Sequence, residues 1–139
     1  LESFYQRWHA EPLVVDKWFS LQAMSPTKGA VEQVLALRKH KAFSISNPNK
    51  VRALLRTFAA NNASGFHRAD GAGYQCIADA VLELDSINPQ SAASLMSAFN
   101  QWRKYQPELA KKMKNQIERI YAQPDLSADV SELASKALA

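Results

Sequence analysis

Apolar residues recur along this chain at spacings close to 3.6: Val31, Val34 and Leu35 with Leu37 alongside; Val51, Leu54, Leu55 and Phe58; Ile77, Val81 and Leu84; Leu109, Met113, Ile117 and Ile120. Such stripes give each helix one apolar face, and no stretch alternates in the manner of a strand. All six prolines, Pro12, Pro26, Pro48, Pro89, Pro107 and Pro124, fall where a helix can begin rather than inside an apolar period. In Ser25-Pro26, Asn47-Pro48 and Asn88-Pro89 a capping side chain precedes proline at the first helical position. There its missing N–H costs nothing and its fixed φ already suits the helix. The pattern predicts helices at about 2–10, 12–23, 27–38, 48–61, 71–86, 89–99, 107–121 and 128–138, an all-α chain. Phe43-Ser44-Ile45 is the one stretch that reads as extended, and it is expected to connect two helices. Short helices joined by tight turns predict antiparallel pairs stacked side by side, a helical-repeat, solenoid-like superhelix, although no repeat recurs at a fixed sequence period.

With 139 residues, 47% of them hydrophobic, the chain has the material for one domain with a substantial core, and no low-complexity segment divides it. Residues 1–139 are therefore expected to form a single all-helical domain. The chain opens at Leu1 without an initiator Met and runs directly into an amphipathic pattern, which reads as a domain excised from a larger multidomain protein. No apolar run approaches the roughly 20 residues that span a bilayer, and there is no signal-peptide pattern, so no membrane span is expected. The single cysteine, Cys76, has no partner for an internal disulfide and lies in a helical pattern, where a small buried thiol is the ordinary outcome. Trp8, Trp18 and Phe19 bracket a helix junction near the N-terminal end and are read as core or inter-domain packing, with an exposed apolar patch expected beside the first two helices.

The formal net charge of +4 permits an acidic partner without requiring one. Arg103, Lys104, Lys111, Lys112, Lys114 and Arg119 form the densest basic run. Lys111, Lys112 and Lys114 flank the apolar positions Leu109, Met113 and Ile117 on the same helix, as on an ordinary solvated face. Trp102 and Tyr105 are too few rings for a stacking platform, and no nucleic-acid partner is expected.

Zinc hydrolysis from a helix needs two histidines one turn apart with a glutamate between them, so that both imidazoles meet one ion and the acid reaches the bound water. This chain has no HExxH. His9, His40 and His67 lie far apart, and a His67-x-x-Asp70 pair lacks a third ligand, so no metal site is expected. No serine occupies a strand-to-helix elbow, and Cys76 lies mid-helix. Gly71-Ala72-Gly73 follows a loop and lacks the third glycine of a dinucleotide fingerprint. The local reading is that Asp70 caps a helix beginning at Gly71, while the glycines let two backbones pass closely. No catalytic residue is expected in the chain, which alone should be inactive.

Several motifs, taken together, resemble a known family: Asp16-Lys17-Trp18-Phe19 with Gln22, Ser46-Asn47-Pro48-Asn49 with Arg52, Phe66-His67 through Tyr74, Asn88-Pro89-Gln90, and Lys136-Ala137-Leu138-Ala139. In this order they resemble the C-terminal helical domain of bacterial aminopeptidase N, a gluzincin-type zinc metallo-aminopeptidase that removes N-terminal residues from peptides. The resemblance covers essentially the whole chain. It implies a non-catalytic lid that closes over an upstream catalytic domain of the same chain, encloses the active-site chamber and controls peptide access. It also implies zinc in the parent enzyme, none in this fragment, and a cytoplasmic location. Arg52 matches an arginine that faces the chamber in relatives and can meet the downstream peptide backbone or carboxylate, and Asn49 joins it as a substrate-channel candidate. Asn47, Pro48, His67, Asp70, Gly71, Gly73 and Tyr74 match positions read as structural turns. At Ser94 the chain departs from relatives that carry a second chamber-facing arginine, a charge that serine cannot supply. The rival readings are a free-standing helical-repeat interaction module and a nucleic-acid-binding helical domain using the basic face at 103–119.

Overall fold

The computed structural model describes residues 12–24, 29–40 and 43–139. The helix expected at 2–10, with Trp8 and His9, and the Ser25-Pro26 entry lie outside the described residues. By its contacts the chain divides into two compact units, Leu1–Gly65 and Phe66–Ala139.

The first unit contains α1 (Pro12–Ala23), α2 (Ala30–Arg38), α3 (Pro48–Val51), a π-helical stretch Arg52–Arg56, and α4 (Thr57–Asn61). Its core holds Val31, Val34, Leu54, Leu55 and Phe58 from the predicted stripes together with Val15, Trp18 and Phe19, all buried, whereas Leu35 of the predicted stripe is exposed at 40%. Each such side chain contributes ~1.5–3 kcal/mol when fully withdrawn from water. Trp18 and Phe19 meet edge-on at 5.1 Å, and Phe43 closes on Phe19 at 5.9 Å. Polar ties fix the register of α1 against the later helices. Lys50 is ion-paired with Asp16, Ser20 Oγ donates to the Ala53 carbonyl at 3.1 Å, and the buried Asn62 amide donates to the Ala23 carbonyl at 2.9 Å. The other end of Asn62 accepts the Gly65 N–H at 3.1 Å, so this buried side chain has partners at both ends. Leu21 on α1 and Met24 just past its end are exposed, at 45% and 39%, in the region where an apolar patch was expected. Phe43 to Asn47 form the expected connector, neither helix nor strand.

A short helical turn, α5 (Ala63–Phe66), leads into the second unit, which holds α6 (Ala72–Asp85), α7 (Pro89–Met96), 3-10 turns at Ser97–Phe99 and Trp102–Lys104, α8 (Pro107–Tyr121) and α9 (Ala128–Leu138). Helix α6 packs against α7 and α8, and α9 packs against the same two helices. Tyr74, Ile77, Val81, Leu84, Leu95, Phe99, Met113, Ile117, Ile120 and Val130 fill the space between, with Cys76 buried among them as expected. Asn88 accepts the Ser91 N–H at 3.2 Å, which realises the cap read from Asn88-Pro89. At the start of α9, Ser127 Oγ accepts the Val130 N–H at 3.2 Å, and the Asp85 carboxylate accepts from both the N–H and the hydroxyl of Ser127. Trp102 Nε1 donates to the Ala137 carbonyl at 2.9 Å and satisfies the last turn of α9.

The all-α helical-repeat class is therefore as expected. Helices α8 and α9 coincide with the predicted 107–121 and 128–138, and Pro12–Ala23 matches the predicted 12–23. Several details differ: α2 begins at Ala30 with Gly29 in a turn, 48–61 holds a π-helical stretch, the turns Ala63–Phe66 and Trp102–Lys104 are added, α6 spans Ala72–Asp85 rather than 71–86, and the predicted 89–99 is α-helical only to Met96.

Candidate functional site

The segment Asn47–Asn61 is built from its N-terminus. Asn47 is extended (φ −97°, ψ 109°), and its side chain accepts the Asn49 N–H at 3.0 Å, while Pro48 occupies the first helical position. This cap orients the turn that carries the two substrate-channel candidates. Asn49 Oδ1 accepts from Arg52 Nη1 at 3.3 Å, and both side chains are exposed. Immediately afterwards the helix widens. The Thr57 N–H reaches back five residues to the Arg52 carbonyl, and the Thr57 hydroxyl donates to the same oxygen at 3.1 Å. A bond to i−5 puts one extra residue into the turn, so the neighbours of Arg52 one turn along are Arg56 and Thr57 rather than Leu55 and Arg56. Leu54 and Leu55 are fully buried, and Arg52, Arg56, Thr57, Ala60 and Asn61 line an open depression of about 200 Å³.

Among the described residues the ion pairs are Lys50 with Asp16, Arg68 with Asp70, Arg119 with Asp79 and Lys136 with Glu132, and none uses Arg52 or Arg56. The basic run at 103–119 is largely engaged within its own unit. Arg103 lies 4.7 Å from the Trp102 ring and donates to the Ala139 carbonyl, Lys114 lies 5.9 Å from the same ring, Lys112 donates to the Ala69 carbonyl, and Arg119 meets Asp79 and Gln116.

In the second unit, the residues read as a structural turn gather at the entry to α6. His67 Nδ1 and Tyr74 Oη are 2.6 Å apart, and the His67 ring lies against Tyr105 at 4.4 Å. Burial, followed by the nearby Tyr105, pushes the Tyr74 phenol up to about 12. Burial also holds His67 below its ordinary 6.5, so the pair is neutral at pH 7. Asp70 is bound by both arms of the Arg68 guanidinium at 2.9 Å and accepts the Ala72 N–H at 3.0 Å, contacts that lower its pKa to about 2. Gly71, rather than Asp70, is the N-cap residue. It takes φ +80°, a conformation that favours glycine, and a Cβ there would stand 3.2 Å from Lys112 Cδ. Gly73 is buried in the first turn of α6. Among the described residues no three His, Cys, Asp or Glu side chains come together to hold a metal ion. None of the helices, over the same residues, is long and apolar enough to cross a membrane.

A family model described as "Domain of unknown function (DUF3458_C) ARM repeats" matches residues 1–139. The chain belongs to this family. It is 51% identical to aminopeptidase N of Caulobacter vibrioides over 138 residues, 99% of this chain and 16% of that protein. Aminopeptidase N of Escherichia coli is 37% identical over 139 residues, again 16% of its own length. Among solved structures, Legionella pneumophila aminopeptidase A, crystallised in complex with aspartic acid, superposes with a TM-score of 0.94 at 42% identity, over 99% of this chain and 16% of that one. The chain thus spans about 16% of the length of the relatives it matches. The resemblance read from the motifs, to the C-terminal helical domain of bacterial aminopeptidase N, is borne out.

For this ARM-repeat domain, the structure joins Arg52 to Asn49 within the first unit and holds the His67–Tyr74 turn by contacts within the second. Ser94, where the sequence departs from some relatives, is half-buried, and its carbonyl accepts from Ser97 Oγ at 2.6 Å. Sequence reasoning missed Arg56, Thr57 and Asn61. An arginine four residues after Arg52 was visible, but the π-turn that brings Thr57 alongside was not.

Proposed function

We propose that this ARM-repeat domain is the C-terminal lid of a zinc-dependent, cytoplasmic aminopeptidase N. It closes over an upstream catalytic domain of the same chain, encloses the chamber in which N-terminal residues are cleaved from peptides, and limits which peptides enter. The observation that carries this reading is the match of the whole chain to a fixed fraction, 16%, of much longer aminopeptidases. Among its described residues the domain gathers no cluster of metal ligands. Its part is positional: Asn47 and Pro48 set the helix entry, Asn49 steadies one arm of Arg52, and the remaining guanidinium donors meet the backbone or carboxylate of the peptide beyond the scissile bond. In a chamber poor in water such charge-assisted bonds are stronger than on an open surface.

The test is Arg52→Ala in the complete parent enzyme, assayed on a tripeptide and on an aminoacyl arylamide, which has no downstream peptide. Losing a charge-assisted contact made only by the longer substrate should lower kcat/KM for the tripeptide by roughly tenfold more than for the arylamide. Equal losses on both substrates would sink the assignment of Arg52.

A further inference from the structure

We propose that Arg56 completes a two-guanidinium carboxylate receptor with Arg52, so that the parent enzyme reads a negative charge on the downstream part of a short peptide. This deepens the lid reading and rests on it. Three observations converge. First, the Arg52–Arg56 stretch is π-helical, and Thr57 holds it with two bonds, amide and hydroxyl, to the one Arg52 carbonyl. Turns of this kind recur at functional sites, and this one places Arg56 and Thr57 on the face of Arg52. Second, like charges one turn apart destabilise a helix, yet none of the ion pairs among the described residues relieves these two. Third, the depression they line has no acidic side chain. Its polar groups are the two guanidiniums, the Thr57 hydroxyl and the Asn61 amide. Because Asn49 engages Arg52 through Nη1, the rest of that fork and all of Arg56 can meet an anion. Planar forks of this kind recognise carboxylates in bidentate fashion, which a lysine cannot reproduce.

The carboxylate has two sources, a free C-terminus or an acidic side chain. The experiment uses the complete parent enzyme and three substrates: a tripeptide with a free C-terminus, its C-terminal amide, and an amide of equal length with glutamate at the last position. The expected result is a preference of about tenfold or more for the free acid over the plain amide, carried mainly by KM. Arg56→Gln and Arg52→Gln should each reduce that preference to within about threefold, and Arg56→Lys should restore part of it. Lys111→Gln, which removes an exposed charge from the other unit, should leave the ratio unchanged. If the glutamyl amide regains the preference, the receptor reads side chains as well as C-termini; if it does not, the receptor reads the C-terminus alone. A preference that Arg52→Gln abolishes and Arg56→Gln leaves intact would overturn the role of Arg56 while the lid reading stands. No preference in the wild type, together with equal effects of Arg52→Ala on tripeptide and arylamide, would overturn both.

Discussion

Asp85→Ala should be among the most damaging substitutions in the second unit. Asp85 ends α6 with 8% of its surface exposed, and its carboxylate accepts the Ser127 N–H at 2.8 Å and the Ser127 hydroxyl. Ser127 is in turn the N-cap of α9, accepting the Val130 N–H at 3.2 Å. One carboxylate therefore joins the end of α6 to the start of α9, 42 residues away. Hydrogen bonds to a charged acceptor contribute about 1.5–3 kcal/mol each, and a loosened N-cap costs about 1 kcal/mol. Against this, removing the carboxylate relieves its own desolvation, and water can reach the partly open site. The net expected loss is about 2–4 kcal/mol, read as a lower urea midpoint at constant m. Ser127→Ala should cost less, and the double variant should fall short of the sum by about 1 kcal/mol or more, since both changes remove the same bonds. A loss for Asp85→Ala below about 0.5 kcal/mol, or strict additivity with Ser127→Ala, would refute the link between α6 and α9 as a source of stability.

Other substitutions test the packing and titration described above. Gly65→Ala would set a Cβ 2.8 Å from Phe58 Cε1 and 3.2 Å from Ala30 Cβ, and because Phe58 is fully buried it should cost about 1–3 kcal/mol in urea denaturation; a neutral effect would show that the turn relaxes freely. The His67–Tyr74 pair should make stability pH-dependent. The folded pKa of His67 lies below 6.5, so the unfolded chain binds that proton first, and the contribution of the neutral imidazole, complete above pH 6.5, is lost as pH falls toward and through the folded value. His67→Gln should flatten that limb of the profile, and an unchanged slope there would count against burial as the cause. Asp70 produces a separate acid limb: its pKa is lowered from 3.8 to about 2, so stability present above pH 3.8 is lost as pH falls through about 2.

What the sequence made legible was local chemistry. Asn47-Pro48 and Asn88-Pro89 announced their caps because the side chain and the ring act within three residues, and α8 and α9 could be bounded for the same reason, between Pro107 or Ser127 and the end of an apolar stripe. What escaped was decided over longer reach or by hydrogen-bond register. The Ala63–Phe66 turn is capped by Asn62, which accepts the Gly65 N–H, but that buried side chain is itself placed by its bond back to Ala23, 39 residues earlier. The π-turn escaped because Leu54 and Leu55 satisfy an apolar stripe in either helical register, whereas the choice between i−4 and i−5 rests on one carbonyl and the Thr57 hydroxyl. The turn before α6 was placed correctly in outline. Its cap falls on Gly71 because the backbone there turns left-handed, which left Asp70 to bind Ala72 from one residue farther back.

The helical segment from Asn47 to Asn61 separates its two tasks by face. Val51, Leu54, Leu55 and Phe58 are buried within the first unit, and Lys50 is tied to Asp16, so the segment is held without any help from its exposed side. Arg52 and Arg56 are consequently free of a structural role: neither is buried and neither closes an ion pair among the described residues. Exposed arginines that close no ion pair would ordinarily be interchangeable with lysine or glutamine at little cost to folding. Their loss should therefore be nearly silent in a denaturation curve and visible only when a substrate with a downstream carboxylate is present. That division lets a stability assay and a substrate-length assay on the same variants distinguish a scaffold residue from a recognition residue, which a simple loss of activity does not.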